Sequence, residues 1–177
     1  VLKRNNKQFV KDIRRSAKAK HVSVYMEAFG FVRLEKEYKL PLSFDAEACI
    51  YVLSRLSGEG NDRIEDKGDI YLTDTEVRDI LELNSRYEKF MLVLNVGGMV
   101  DLTPVLEAKN ILLLSQLGSN IGSTLADIIL GKVNPSGKLT DTWAPPSDYL
   151  KAVNFGDVNN TYYSEGLYVG YRYFDTY

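Results

Sequence analysis

The feature that most constrains the fold is a nearly unbroken apolar run, Phe-Met-Leu-Val-Leu-Asn-Val, at residues 90–96. Charged residues precede the run, and Gly97-Gly98 ends it. A strand with one face in water alternates apolar and polar residues, whereas a strand that is buried on both faces is apolar throughout. The run therefore predicts a central strand of a parallel sheet that is covered on both faces.

Segments on either side of this run complete an alternation of strands and helices. Residues 48–54 and 110–115 are predicted as strands because they are rich in apolar, β-branched and aromatic residues. Helices are predicted over 74–88 and 121–130, and a shorter one over 102–109, from apolar residues at helical spacing. This alternation predicts an α/β fold, a mainly parallel sheet flanked by helices, of the doubly wound sandwich type.

The ends of the two longer helices carry recognisable capping residues. Thr73 and Glu76 have the spacing of a capping box, which marks the start of the first helix. Gly131 stands where a glycine commonly ends a helix, directly after the second. Both signals support the helix boundaries predicted from periodicity.

The chain divides into three parts. Residues 1–44 lack the strand and helix alternation and are assigned as an N-terminal segment, an insertion or a linker. Residues 45–161 are predicted as the α/β sandwich domain, with Thr140-Asp141-Thr142-Trp143 as a short edge strand. Residues 162–177 contain seven Tyr and Phe residues, more than a small sheet can cover. We therefore predict an extended aromatic tail that contacts another domain or chain.

Composition disfavours several classes of function. The formal net charge is -2, so no strongly basic surface is expected for nucleic acid or an anionic membrane. With one cysteine, Cys49, and one histidine, His21, we expect neither an internal disulfide nor a metal site. Cys49 lies in a strand pattern and is predicted to be a small buried hydrophobe. No apolar run has the length of a membrane span and the N-terminus is too polar for a signal peptide, which predicts a cytoplasmic protein.

Two glycine-containing segments lack the defining features of nucleotide-binding loops. Residues 131–139 have five residues between the glycines instead of four, Leu139 in place of Ser or Thr, and Pro135, which has no amide donor. Residues 116–122 lack the spacing of a dinucleotide-binding turn. We therefore expect no cofactor.

The loop after the first strand places a carboxylate between two glycines, in Ser57-Gly58-Glu59-Gly60-Asn61-Asp62-Arg63. Ligand crevices in open α/β sheets lie beyond the carboxyl ends of the strands. The flanking glycines permit a sharp turn and leave space for a large substrate to approach Glu59. Spacing alone leaves two interpretations open, a catalytic acid or a tight turn whose Glu points into water. Asp62 and Arg63 are predicted to form a structural ion pair that braces the loop, rather than to act as catalysts.

Five sequence blocks, taken in this order, resemble glycoside hydrolase family 3, and they span roughly residues 45–177. The part that is similar is the family's α/β sandwich domain, which packs beside a (β/α)8 barrel. The blocks are Ser57-Gly58-Glu59-Gly60-Asn61-Asp62-Arg63, Lys67-Gly68-Asp69-Ile70-Tyr71-Leu72, Val93-Leu94-Asn95-Val96-Gly97, residues 126–139, and Tyr168-Val169-Gly170-Tyr171-Arg172-Tyr173-Phe174-Asp175.

The resemblance implies part of a retaining β-glycosidase of the β-glucosidase type, acting on terminal β-linked sugars. In such enzymes one carboxylate attacks the anomeric carbon, and a second protonates the leaving oxygen and later deprotonates water. The family pattern assigns the acid/base to Glu59, and the nucleophile is an Asp of the barrel. The residues that support the loop are then Ser57, Gly58, Gly60, Asp62 and Arg63.

The resemblance also implies partners. These are a β-linked glucoside or oligosaccharide substrate and the barrel domain, which this chain does not contain; a homo-oligomer is also compatible with it. Residues 115–122 depart from the Trp and Gln-Glu pair that family members often have, so no sugar contact is assigned there. Two further readings stay open: a non-catalytic α/β module that binds carbohydrate or protein, and a domain that only braces a barrel.

Overall fold

The structure, a computed structural model, describes residues 46–55, 63–149 and 159–177. Within these ranges three strands form a parallel sheet in the order β1-β2-β3, and their bounds are Ala48–Ser54, Lys89–Asn95 and Ile111–Leu113. Helix α1, Asp74–Arg86, lies between β1 and β2 in the chain, and helix α2, Ile121–Ile129, follows β3. The α/β fold with a mainly parallel sheet and flanking helices, predicted from the sequence, is confirmed.

The central strand β2 is buried on both faces. Its residues Phe90, Leu92 and Leu94 are in the same buried cluster as Ile80 of α1. Val93, which points to the opposite face of the sheet, is also fully buried. Burial on both faces is the physical reason for the unbroken apolar run in this strand.

Helix α1 begins with the predicted capping box. The backbone N–H of Glu76 donates to the Thr73 hydroxyl at 3.2 Å, and the Thr73 N–H donates to the Glu76 carboxylate at 2.9 Å. The helix ends two residues before the predicted boundary because Tyr87 has an extended backbone (φ −106°, ψ 125°). At the end of α2, Gly131 has φ +72°, the left-handed conformation that glycine accepts at a helix end.

The helix predicted over 102–109 is instead a pair of tight turns around a 3-10 helix, Thr103–Val105. Each turn closes over three residues, from the Val105 N–H to the Leu102 carbonyl and from the Ala108 N–H to the Val105 carbonyl, both at 2.9 Å. The Asp101 carboxylate accepts from the Thr103 N–H at 2.9 Å and fixes the first turn. Local side-chain hydrogen bonding therefore replaces the regular helix.

No strand forms at Thr140-Asp141-Thr142-Trp143, so the predicted edge strand is wrong. The Tyr149 hydroxyl donates to the Thr142 carbonyl at 2.5 Å and accepts from the Ala144 N–H at 3.1 Å. Trp143 packs against the buried cluster. The Tyr149 hydroxyl thus bonds the Thr142 carbonyl and the Ala144 N–H, which a neighbouring strand would otherwise have paired.

The tail is not extended as predicted, since it contains turns and a short helix α3, Tyr171–Phe174. Aromatic rings pack on one another within it, with Tyr173 about equally close to Phe174 and Tyr177 (centroids 5.4 Å apart in both pairs). Phe174 also meets Tyr149 edge to face at 5.3 Å. Tyr173 and Tyr177 are one helical turn apart, and ring contacts of this kind stabilise the turned conformation of the tail. A contact between this tail and another domain or chain stays a prediction.

Three other sequence predictions concern single residues or whole classes of site. Cys49 is half-buried beside the core, and its burial raises the pKa of its thiol. Within the described ranges, no helix is long and apolar enough to cross a membrane, and no cluster of side chains could hold a metal ion. Residues 1–44 lie outside the described residues.

Candidate active site

The carboxyl ends of the strands meet at one edge of the sheet. Residue Arg55 follows β1 directly, and its backbone N–H donates to the Asn95 carbonyl at the end of β2, at 3.3 Å. The loop proposed from the sequence leaves the sheet at this point. Its residues 56–62, which include Ser57, Gly58, Glu59, Gly60 and Asp62, lie outside the described residues. Both flanking residues, Arg55 and Arg63, are described.

Arg55 is buried and fixes the start of the loop. It is 6% exposed, and its guanidinium makes a two-pronged ion pair with the Glu76 carboxylate, both N–O distances being 2.8 Å. Its Nε donates to the backbone carbonyl of Asp69 at 2.8 Å. Charge-assisted bonds in this fork geometry fix the direction of the side chain as well as its position. The start of the loop is therefore tied to the first turn of α1.

Arg63 holds the end of the loop through Asp69. The Arg63 Nε donates to Asp69 Oδ1, and the Ile64 N–H donates to Asp69 Oδ2 at 2.8 Å. Asp69 is 3% exposed, so its carboxylate has little contact with water. The ion pair predicted between Asp62 and Arg63 stays a prediction, because Asp62 lies outside the described residues. Among the described residues, Arg63 pairs with Asp69, six positions along the chain.

A glycine makes room for the Arg63 guanidinium. The second donor group of Arg63 reaches the Met99 carbonyl at 3.0 Å, beyond the end of β2. A Cβ added at Gly98 would lie 2.8 Å from Arg63 Nη1, closer than carbon and nitrogen atoms approach without a shift. The glycine pair that ends β2 thus permits a close approach of the arginine to the backbone.

Strain and an unpaired polar atom are found at the same edge of the sheet. Ser115 and Gln116, after β3, have φ +52° and +51°, which is uncommon for residues with a Cβ. The Gln116 side-chain amide donates to the Arg55 carbonyl at 2.6 Å, so this conformation connects β3 to the start of the loop. The buried Oδ1 of Asn95 has no hydrogen-bond partner among the described residues. Such features concentrate at functional sites.

Four residues of this site were not predicted from the sequence: Arg55, Asp69, Glu76 and Gln116. The contacts of Asp69, Glu76 and Gln116 with Arg55 join residues that are 14 to 61 positions apart, so periodicity and local spacing do not reveal them. One signal was available. Arg55 is a cation directly after an apolar strand pattern, and a cation that becomes buried needs an acidic partner.

A comparison with protein families adds an independent observation. The family model described as the glycosyl hydrolase family 3 C-terminal domain matches residues 5–171. The match covers nearly the whole chain, including the loop at 56–62. The chain belongs to this family. The resemblance inferred from the five sequence blocks is therefore confirmed. The match also begins within the segment 1–44, for which the sequence analysis had given no place in the domain.

Curated relatives of this glycosyl hydrolase family 3 domain carry the name beta-glucosidase. Beta-glucosidase A of Butyrivibrio fibrisolvens is 37% identical over 174 residues, which are 80% of this chain and 21% of that protein. A beta-glucosidase of Ruminococcus albus is 33% identical over 135 residues, 75% of this chain and 14% of that protein. The chain thus spans about a fifth or less of the length of these relatives.

A solved structure supports the same assignment. Beta-glucosidase 3B from Thermotoga neapolitana, in complex with glycerol, superposes with a TM-score of 0.67 at 32% sequence identity. The superposition covers 86% of this chain and 24% of that one. The family 3 domain described above is therefore similar both in sequence and in fold to one part of a larger protein.

Proposed function

We propose that this chain is the α/β sandwich domain of a retaining β-glucosidase. The observation that carries the proposal is the family match over residues 5–171, together with relatives that are named beta-glucosidases. The chain would act with a (β/α)8 barrel domain that binds the sugar and supplies the nucleophile. The substrate class is a terminal β-linked glucoside or oligosaccharide.

Glu59 is proposed as the general acid/base. In the first step its carboxylic acid protonates the glycosidic oxygen while the nucleophile of the barrel attacks the anomeric carbon. In the second step its carboxylate removes a proton from the water that releases the sugar. Two observations support this assignment: Glu59 lies in the family's S-G-E-G-x-D-R pattern, and its loop leaves the sheet at the carboxyl edge, where ligands bind in open α/β folds.

The test is a Glu59→Gln substitution in the full-length protein that carries this chain. The substitution removes the proton donor and keeps the size of the side chain. For a β-glucoside with a poor leaving group, such as the methyl glycoside, kcat/KM should fall by about 10²–10⁴-fold, the usual contribution of general acid catalysis. For a dinitrophenyl β-glucoside kcat/KM should change little, because this leaving group departs without protonation.

Glu65→Gln is the matched control. Glu65 is exposed and lies six positions along the chain from Glu59, so the same chemical change there should leave both kcat/KM values unchanged. An equal loss for both substrates in Glu59→Gln, or no loss, would refute the assignment of Glu59. If the wild-type protein binds but does not hydrolyse β-glucosides, the chain is a non-catalytic carbohydrate-binding module instead.

A further inference from the structure

The two ends of the loop at 56–62 meet on one residue, Asp69. Its backbone carbonyl accepts from Arg55, which precedes the loop, and its carboxylate accepts from Arg63, which follows it. The Ile64 N–H donates to the other oxygen of the Asp69 carboxylate. A single short segment of chain therefore holds both ends of the loop at a fixed separation.

This arrangement is buried and connected to the rest of the fold. The Arg55 and Asp69 side chains are each 5% exposed and that of Arg63 is 25% exposed. Arg55 also forms an ion pair with Glu76 in the first turn of α1, and Arg63 also donates a hydrogen bond to the Met99 carbonyl beyond β2. The loop ends are thus fixed relative to both the helix and the sheet, rather than only to each other.

Stability alone is a weak explanation for buried ion pairs here. Removing two charges from water costs free energy that their attraction only partly returns, and well-packed apolar residues often serve as well. Such pairs do fix direction, because an arginine guanidinium donates its hydrogen bonds in one plane. The geometry at Asp69 is therefore more suited to placing a chain segment than to strengthening a core.

We infer that Asp69, whose carboxylate holds Arg63 and whose backbone carbonyl holds Arg55, is a positioning residue for Glu59. This inference rests on the proposed role of Glu59 as acid/base. Glu59 is four positions from each of the two arginines. Four residues reach at most about 14 Å, so fixing both ends limits where the carboxyl group can be placed. A misplacement of about 1 Å can reduce a rate about 10²-fold.

The first test is Asp69→Asn in the full-length protein, measured by the ratio of kcat/KM for the dinitrophenyl and methyl β-glucosides. This substitution removes the charge that holds Arg63. The ratio should rise about tenfold or more, because only the methyl glycoside needs a well-placed acid. A merely structural role would lower the fraction of folded enzyme and reduce both rates equally, which leaves the ratio unchanged. An unchanged ratio would overturn the inference.

Asp74→Asn is the matched control for this substitution. Asp74 pairs with Lys67 at 2.7 Å, but its side chain is 80% exposed. The same chemical change therefore removes an ion pair close in sequence without touching the ends of the loop. The kcat/KM ratio of this variant should equal that of the wild type.

Gly98→Ala is a second variant that keeps every charge, in case Asp69→Asn fails to fold. The new methyl group would displace the Arg63 guanidinium, from which it would be 2.8 Å away. The kcat/KM ratio should rise in the same direction as in Asp69→Asn. Gly137→Ala is its control, because a Cβ there meets no atom within 4 Å. A wild-type ratio in Gly98→Ala would count against a positioning role for this ion pair.

The double variant Asp69→Asn, Glu59→Gln separates the two levels of the proposal. If Asp69 acts through Glu59, its effect on the ratio should disappear once the acid is absent. An additional rise in the ratio would show that Asp69 acts by another route, and the inference would be wrong. If Glu59→Gln alone changes the ratio and Asp69→Asn does not, the proposed function stands and only the positioning role fails.

Discussion

Arg55 is the most deeply buried cation of the site, and its partners show why it is not replaceable by another residue. Its guanidinium contacts a carboxylate, Glu76, and the Asp69 carbonyl at the same time. A lysine carries the same charge but has no planar fork, so it cannot reach both partners in this geometry. At the scale of single residues, the site depends on one guanidinium that connects a loop to a helix.

Arg55→Met should strongly destabilise the protein. The substitution leaves the Glu76 carboxylate, whose side chain is 19% exposed, without its main cation, and such a loss typically costs about 3–5 kcal/mol. Urea unfolding followed by circular dichroism measures the change in the free energy of unfolding. Arg86→Met is the comparison: Arg86 pairs with Glu82 one turn away on the helix surface, and that loss should stay below about 1 kcal/mol. Equal effects of the two substitutions would contradict this account of Arg55.

At the scale of elements, the long segments with strong patterns were predicted well from the sequence. Strand β2 and helix α1 were placed within one or two residues, because an unbroken apolar run and a capping box are local signals. Residues 140–143 and the tail were predicted wrongly because non-local or cross-ring contacts decide their shape. The Tyr149 hydroxyl hydrogen-bonds the backbone on either side of Trp143, and edge-to-face and tilted ring contacts accompany the turns and helix of the tail.

The candidate site, too, was predicted from the sequence only in part. The position of the loop at the carboxyl edge followed from the order of strand, glycine and carboxylate in the sequence. The convergence of both arginines on Asp69 did not, since an aspartate within a polar segment gives no sign of burial. Only the folded chain brings residues 55, 63 and 69 together.

The capping box connects helix α1 to the site, and Thr73→Ala tests it. Removing the hydroxyl leaves the Glu76 N–H without its partner, which typically costs about 0.5–2 kcal/mol of stability. Thermal or urea unfolding gives the value. Thr140→Ala, an exposed position outside the helices, should change the free energy of unfolding by less than about 0.5 kcal/mol. A Thr73→Ala variant as stable as the wild type would show that the box does not support this helix.

At the scale of the whole molecule, the chain is one part of a larger protein in its relatives, of which it spans 21% and 14% in the two described. Several apolar side chains of the tail region are well exposed, among them Tyr163 at 90%, Tyr177 at 81% and Leu167 at 80%. Exposed aromatic and apolar side chains of this kind suit contact with another domain. The proposed enzyme therefore joins a sugar-binding barrel to a sandwich that presents the acid from its carboxyl edge.

The measurement that tests the central claim most directly is azide rescue of Glu59→Gln in the full-length protein. Without a base, water attacks the glycosyl-enzyme slowly, so kcat for the dinitrophenyl β-glucoside should be low. Azide is a nucleophile that needs no deprotonation. It should restore turnover and yield a glucosyl azide of β configuration, because two displacements retain the stereochemistry. The Glu65→Gln control should form no azide product. If azide leaves the turnover of Glu59→Gln unchanged and no glucosyl azide appears, Glu59 is not the acid/base.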